Sequence, residues 1–208
     1  MNAPLTEPPP GPSQPPPSPA MDDSPKGRIL QAAAQLFVTR GFDRTTVREL
    51  AAAVGIQSGS LFHHFKSKEQ ILEAVMVAVI ELNTGRMRAA LERAPDPESK
   101  LRALIQCEVD SINGDTSEAM GLLVREWRSL PEDAQQRVLV LRDRYEQLFL
   151  DAIAAAGGEL VDIDPFILRR FIYGIDFVSG YWFKPDGPLS TSDLVDLIMK
   201  LLRKKESP

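Results

Sequence analysis

The chain of 208 residues is long enough for one or two domains. With 43% hydrophobic and 25% charged residues, its composition excludes a wholly disordered or collagen-like protein. A formal net charge of −5 argues against a nucleic-acid partner when it is averaged over the whole chain, and the single cysteine excludes a disulfide framework and a multi-cysteine metal site.

The first 24 residues are predicted to form a disordered, proline-rich tail. Of the 17 prolines, ten fall within the first 25 residues. Proline removes backbone donors and fixes φ, and this segment has almost no apolar side chains to bury. The sequence shows neither a secretory signal nor an apolar run of about 20 residues, so we expect a cytoplasmic protein.

From Pro25 onward the sequence predicts an all-α fold of about nine helices, because apolar residues recur at helical spacing and no strand pattern of useful length is present. Asp164 before Pro165, and Ser190 with Thr191, are typical helix starts. The predicted helices span residues 25–39, 46–55, 57–65, 67–94, 97–112, 116–128, 131–156, 164–183 and 191–205.

The two short helices at 46–55 and 57–65 form a predicted helix-turn-helix. Thr46 and Glu49 have the spacing of a capping box at the start of the first, and Gly55 supplies the left-handed residue of the turn. The second helix of such a pair lies in the DNA major groove.

Charge is unevenly divided along the chain and supports this interpretation. Residues 26–68 carry seven basic and two acidic side chains, a net charge of +5, whereas residues 69–208 carry −7 and residues 1–25 carry −3. A basic segment on an acidic chain predicts a DNA-binding head that neutralises phosphates.

The motifs of this head resemble a known family. The run from Gly41 to Ala51, the turn at residues 54–56, the segment GSLFHHF at 59–65 and KSKE at 66–69 are similar to the TetR family of bacterial transcription regulators. The resemblance implies a DNA-binding domain at residues 25–70 and a larger helical domain at 71–208 that binds an effector and dimerises.

The resemblance also implies roles for single residues. Thr46 and Arg48 match backbone contacts, and Lys68 and His64 match phosphate contacts. Phe62 departs from the usual tyrosine and loses its hydroxyl, and Gln57 replaces the common serine cap of the recognition helix. The full predicted DNA-binding set is Arg44, Thr45, Thr46, Arg48, Gln57, Ser58, Gly59, Ser60, Phe62, His63, His64, Lys66 and Lys68, in which Ser58, Gly59, Ser60 and His63 match the positions that read bases.

Aromatic residues at helical spacing mark the C-terminal half, and they are typical of a core, a dimer interface or a cavity wall. Segments at 163–172 and 177–190 resemble TetR-type repressors of sterol-ring and fatty-acid catabolism, which implies an acyl-coenzyme A (acyl-CoA) effector. The predicted effector-binding residues are Arg125, Trp127, Arg128, Tyr145, Phe149, Tyr173, Phe177 and Tyr181, and the candidate anion partners are Arg125, Arg128, Arg142, Arg169 and Arg170.

The last two helices are the expected homodimer interface, which would set two recognition helices about 34–36 Å apart on a palindromic operator. An intramolecular core would produce the same apolar pattern. The sequence has no catalytic constellation, metal-ligand cluster or cofactor motif. A ligand-independent architectural DNA-binding protein and an unrecognised helical enzyme remain alternatives. The predicted interface residues are Leu194, Leu197, Ile198, Leu201 and Leu202.

Overall fold

The computed structural model describes residues 24–184 and 186–204, and within these ranges the fold is all-α, as predicted. The predicted tail at 1–24 lies outside the described residues except for Ser24. The only β pairing described is an isolated bridge between Leu160 and Arg203. The helices are α1 (Pro25–Arg40), α2 (Val47–Ala53), α3 (Ser58–Leu61), α4 (Lys68–Arg93), α5 (Pro97–Asn113), α6 (Ser117–Arg125), α7 (Glu132–Ala156), α8 (Pro165–Trp182) and α9 (Thr191–Leu202), with a 3₁₀ turn at Trp127–Ser129.

The helix starts follow from local side-chain caps. Thr46 and Glu49 form the predicted capping box of α2, with the Glu49 carboxylate accepting from the Thr46 amide at 2.8 Å. Ser190 caps α9 in the same way, and Asp164 accepts from two amides at the start of α8. Gly55 has φ +72°, the left-handed conformation that the predicted turn requires.

Three helix ends differ from the prediction by three residues or more. Helix α3 ends at Leu61, because the amides of His63 and His64 bond carbonyls three residues back and tighten the chain into a turn. The predicted helix at 116–128 ends at Arg125, where the chain continues into the 3₁₀ turn. Helix α9 ends at Leu202 because Val161 donates its amide to the Leu202 carbonyl and draws the chain into extended pairing.

Helix α5 lies at the centre of the C-terminal domain and packs on α4, α6, α7, α8 and α9. Its buried side chains include Leu101, Leu104, Ile105, Glu108 and Val109, which recur at the positions i, i+3, i+4, i+7 and i+8 that form one face of a helix.

The predicted domain boundary at residue 70 falls inside α4, which therefore runs continuously from the head into the C-terminal domain. Helix α1 of the head also packs on α6. None of the described helices is long and apolar enough to cross a membrane.

Candidate nucleic-acid interface and effector cavity

The surface of the helix-turn-helix presents most of the residues that the sequence predicts for DNA binding. Gly59, Ser60, His63 and His64 are exposed around the short helix α3. Phe62 is 52% exposed, so its ring is available to a partner. Gln57 is the N-cap residue of α3 but its side chain makes no capping hydrogen bond, which fits the absence of the usual serine.

Two predicted contacts turn inward instead. Thr45 is 1% exposed, and its hydroxyl donates to the Gly41 and Leu36 carbonyls, so its side chain is not available to DNA. The Lys68 ammonium donates to the carbonyls of Phe42, Asp43 and Thr45. Lys68 therefore stabilises the loop between α1 and α2 with its three ammonium donors, and the phosphate contact at Lys68 stays a prediction.

The head carries exposed cations both before and after α3 in the chain. Arg48 on α2 and Lys66 after α3 are exposed, as is Arg44, whose guanidinium donates to the Arg40 carbonyl at 2.7 Å. The exposed Arg40 pairs with Glu49 at 2.6 Å, so its charge is partly compensated. Positive charge that remains exposed beside exposed polar side chains is the arrangement that contacts phosphates and base edges together.

A cavity of about 270 Å³ lies in the C-terminal domain and reaches the head. Val38 of α1 and Ile80 of α4 form part of its wall, so one helix of the DNA-binding head and the helix that continues from the head into the C-terminal domain line the same space. Its aromatic side is a ladder on α8, in which the rings of Tyr173 and Phe177 stack at 5.8 Å. The lining residues are Val38, Ile80, Glu108, Ile112, Ser117, Glu118, Met120, Gly121, Leu123, Arg125, Arg142, Tyr145, Glu146, Tyr173, Phe177, Gly180 and Tyr181.

Five of the eight predicted effector residues therefore lie in the cavity wall, and three do not. Phe149 is fully buried, with its ring 3.8 Å beneath the Arg169 guanidinium, so it belongs to the core. Trp127 is half-buried in the 3₁₀ turn, and Arg128 is exposed there. The five wall residues are Arg125, Tyr145, Tyr173, Phe177 and Tyr181.

A buried ion-pair cluster closes the inner end of the cavity. Arg169 and Glu108 side chains are each 1% exposed and form a two-pronged pair with both N–O distances 2.8 Å. Arg169 also donates to Glu146 at 2.9 Å, and the Tyr145 hydroxyl donates to Glu108 at 3.0 Å. Burial alone would raise the pKa of Glu108, but the charge and hydrogen bonds of Arg169 outweigh it and hold that pKa below its ordinary value.

The prediction that Arg169 is an anion partner for a ligand is wrong, because two carboxylates already neutralise it. Arg170, the next residue, is exposed with its guanidinium over the Phe166 ring, away from the cavity lining. Sequence reasoning missed Glu108 and Glu146. The signal for Glu108 was present, because it stands in the apolar repeat of α5, where an acid needs a buried partner.

Asp176 on α8 adds a second buried acid. The residue is 0% exposed, and its carboxyl oxygens meet no donor group among the described residues, so the acid hydrogen-bonds the Glu108 carboxylate only when it carries a proton itself. Burial, followed by the nearby charge of Glu108, raises the pKa of Asp176 to about 10. Asp176 is therefore a neutral acid at pH 7.

Comparison with known proteins decides the family. Residues 29–75 match the family model described as bacterial regulatory proteins, tetR family, and residues 94–205 match that of the tetracyclin repressor-like C-terminal domain. The chain belongs to the TetR family. It is a DNA-binding transcriptional regulator with an N-terminal helix-turn-helix, and its relatives are named as regulators rather than enzymes.

Three similar proteins illustrate the range of the similarity. The HTH-type transcriptional repressor KstR2 of Mycolicibacterium smegmatis is 33% identical over 183 residues, which cover 86% of this chain and 89% of that protein. The structure of superantigen PfiT is 48% identical with a TM-score of 0.77, covering 88% and 98% of the two chains. AibR in complex with isovaleryl coenzyme A and operator DNA is 26% identical with a TM-score of 0.75, covering 84% and 95%.

The five predicted interface residues of this TetR protein all lie on α9, and they fall into two groups. Leu194, Ile198 and Leu202 are buried in the core of the chain itself, so the prediction that they form an intermolecular face is wrong. Leu197 and Leu201 are 50% and 69% exposed on the opposite side of α9. Helix α8 adds an exposed apolar set that the sequence reasoning did not select, formed by Phe166, Ile167, Phe171, Val178 and Trp182.

Proposed function

We propose that the protein is a homodimeric transcriptional repressor that binds a palindromic DNA operator and releases it when an acyl-CoA effector occupies the cavity. The observation that carries this proposal is the position of the cavity, whose wall includes Val38 of the DNA-binding head. Such a repressor would act on the bacterial chromosome, in the cytoplasm and at the nucleoid.

Helix α6 provides a physical connection between effector and operator. Residues of α6 from Ser117 to Arg125 line the cavity, and the next residue, Glu126, accepts a hydrogen bond from the Phe42 amide at 3.2 Å. Phe42 lies in the loop between α1 and α2, which Lys68 at the start of α4 holds in place. A ligand that displaces α6 would therefore move the loop next to the helix-turn-helix, and it would weaken DNA binding by its differential affinity for the two states.

The acyl-CoA class is supported by the charges at the cavity and by the complex of AibR with isovaleryl coenzyme A. Arg125 is exposed and Arg142 is half-buried, and both line the cavity. Among the described residues neither forms a salt bridge, so their guanidinium groups are available to phosphates. A cavity of this size also favours a sensor over an architectural protein, whose interior would be filled.

The DNA interface is tested by a matched pair of arginine variants on an operator selected from random DNA. We expect Arg48→Gln to weaken binding to all sequences alike and to reduce the slope of log affinity against log salt concentration by about 1. Fluorescence anisotropy at several salt concentrations measures both quantities. Arg88→Gln, an equally exposed arginine on α4, should leave both unchanged. Equal losses in the two variants would contradict the assigned interface.

The dimer is proposed on α8, because exposed Ile167, Phe171, Val178 and Trp182 recur at spacings that place them on one side of this helix, and a set of exposed apolar side chains marks an interface where a single one does not. Phe171 is 59% exposed at the middle of the α8 set. We expect the wild type to sediment as a dimer at micromolar concentration and Phe171→Glu to sediment as a folded monomer, because a buried unpaired carboxylate opposes association. A monomeric wild type would refute the homodimer.

Superantigen activity is a second candidate, favoured by the 48% identity to the chain described as superantigen PfiT. The two candidates separate experimentally, because Arg48→Gln should impair operator binding without changing stimulation of T cells by the purified protein. Stimulation with no operator binding by the wild type would favour this second candidate.

A further inference from the structure

The size and polarity of the cavity limit what part of an effector it can hold. An apolar cavity of about 150 Å³ holds one benzene molecule, so a cavity of about 270 Å³ holds by proportion roughly ten or eleven non-hydrogen atoms. A complete coenzyme A thioester and a four-ring sterol skeleton both exceed this number. An effector of either kind can therefore place only part of its structure in the cavity, and the rest stays outside.

The exposure of the lining residues distinguishes an open mouth of the cavity from a buried inner end. Tyr181 is 72% exposed and Arg125 is also exposed, so they lie at the mouth. Glu108 and Tyr145 are buried at 1% and 7% and lie at the inner end. The side walls between them are mainly apolar, with Ile80, Ile112, Met120, Leu123 and Phe177.

We infer that this regulator responds to short and medium acyl groups, of about four to eight carbons, and not to long-chain or sterol-ring acyl groups; this inference rests on the proposed acyl-CoA function. The acyl group lies between the apolar walls, and the phosphates stay at the mouth beside Arg125. The inner end cannot extend the apolar channel, because the ion pair of Glu108 with Arg169 blocks it.

Ile112 is the side-wall residue that limits the width of the cavity. An added Cβ on Gly180, across the wall, would lie 3.0 Å from the Ile112 Cγ2 atom, so this side chain already fills the space up to the α8 backbone. Ile112→Ala removes three carbon atoms from the wall. Ile175→Ala is the matched control, because Ile175 is also half-buried and packs on the core, but it does not line the cavity.

The test is isothermal titration of the full chain with butanoyl-, hexanoyl-, octanoyl-, dodecanoyl- and hexadecanoyl-CoA and with the free acids of the same lengths. We expect affinity to rise about fourfold per methylene up to about eight carbons and to fall at least tenfold by sixteen. In Ile112→Ala the optimum should move up by about three carbons, and in Ile175→Ala it should stay at the wild-type length.

The outcomes distinguish the inference from the proposal on which it rests. Tighter binding of hexadecanoyl-CoA or of a sterol-acyl thioester than of octanoyl-CoA would overturn the size limit and leave the acyl-CoA effector standing. A size optimum seen only with free acids would support the limit and overturn the thioester as effector. Binding of neither series would overturn both, and an unmoved optimum in Ile112→Ala would overturn the assignment of this cavity.

Discussion

Replacing Arg169 with methionine should destabilise the protein by about 3–5 kcal/mol, because it removes one partner of a buried ion pair and leaves the others uncompensated. The Arg169 side chain is 1% exposed and donates to both Glu108 and Glu146. In the variant, Glu108 would be an ionised acid without a counter-ion, next to the buried Asp176. Urea unfolding followed by circular dichroism measures the loss.

Two further variants separate a charge effect from a packing effect. Arg170→Met makes the same substitution one residue later, at an exposed position, and should change the free energy of unfolding by less than about 0.5 kcal/mol. The double variant Arg169→Met with Glu108→Gln removes both charges of the buried pair and should recover much of the stability. A loss in Arg169→Met no larger than that in Arg170→Met would contradict the buried cluster.

Those features of the fold that depend on neighbouring residues in the sequence were predictable. The caps at Thr46, Asp164 and Ser190 place helix starts because the capping atoms lie within three residues of the amides they satisfy. Gly55 places the turn because the left-handed conformation is a property of one residue. Once these helix starts and the turn are placed, helical periodicity predicts which residues of the recognition surface are exposed.

The features that depend on distant residues were not predictable in the same way. The inward turn of Lys68 is fixed by three carbonyls more than 20 residues earlier in the chain. The prediction of Arg169 as an anion partner of the effector failed because its carboxylate partners stand on α5 and α7. Leu194 and Leu197 carry the same side chain, and only the packing of α9 on α5 decides that the first is buried and the second exposed.

Asp176→Asn should stabilise the protein increasingly as pH rises. The pKa of Asp176 is about 10 in the folded protein, because of burial and the charge of Glu108, and about 3.9 in an unfolded chain. Between these values the folded protein holds a proton that the unfolded chain releases, so stability is fully present below pH about 4 and is lost as pH rises towards 10. Asparagine has no proton to release, so the free energy of unfolding of the variant does not depend on pH through this residue.

The measurement is the free energy of unfolding of Asp176→Asn and wild type between pH 5 and pH 8. The difference between them should grow by up to about 1.4 kcal/mol per pH unit, which is the linkage of one proton. Asp143→Asn, at an exposed position on α7, should give a curve parallel to that of the wild type. Parallel curves for Asp176→Asn would mean that Asp176 is ionised in the fold. The inner end of the cavity would then carry a further negative charge, and it would exclude an acyl chain more strongly than the neutral acid does.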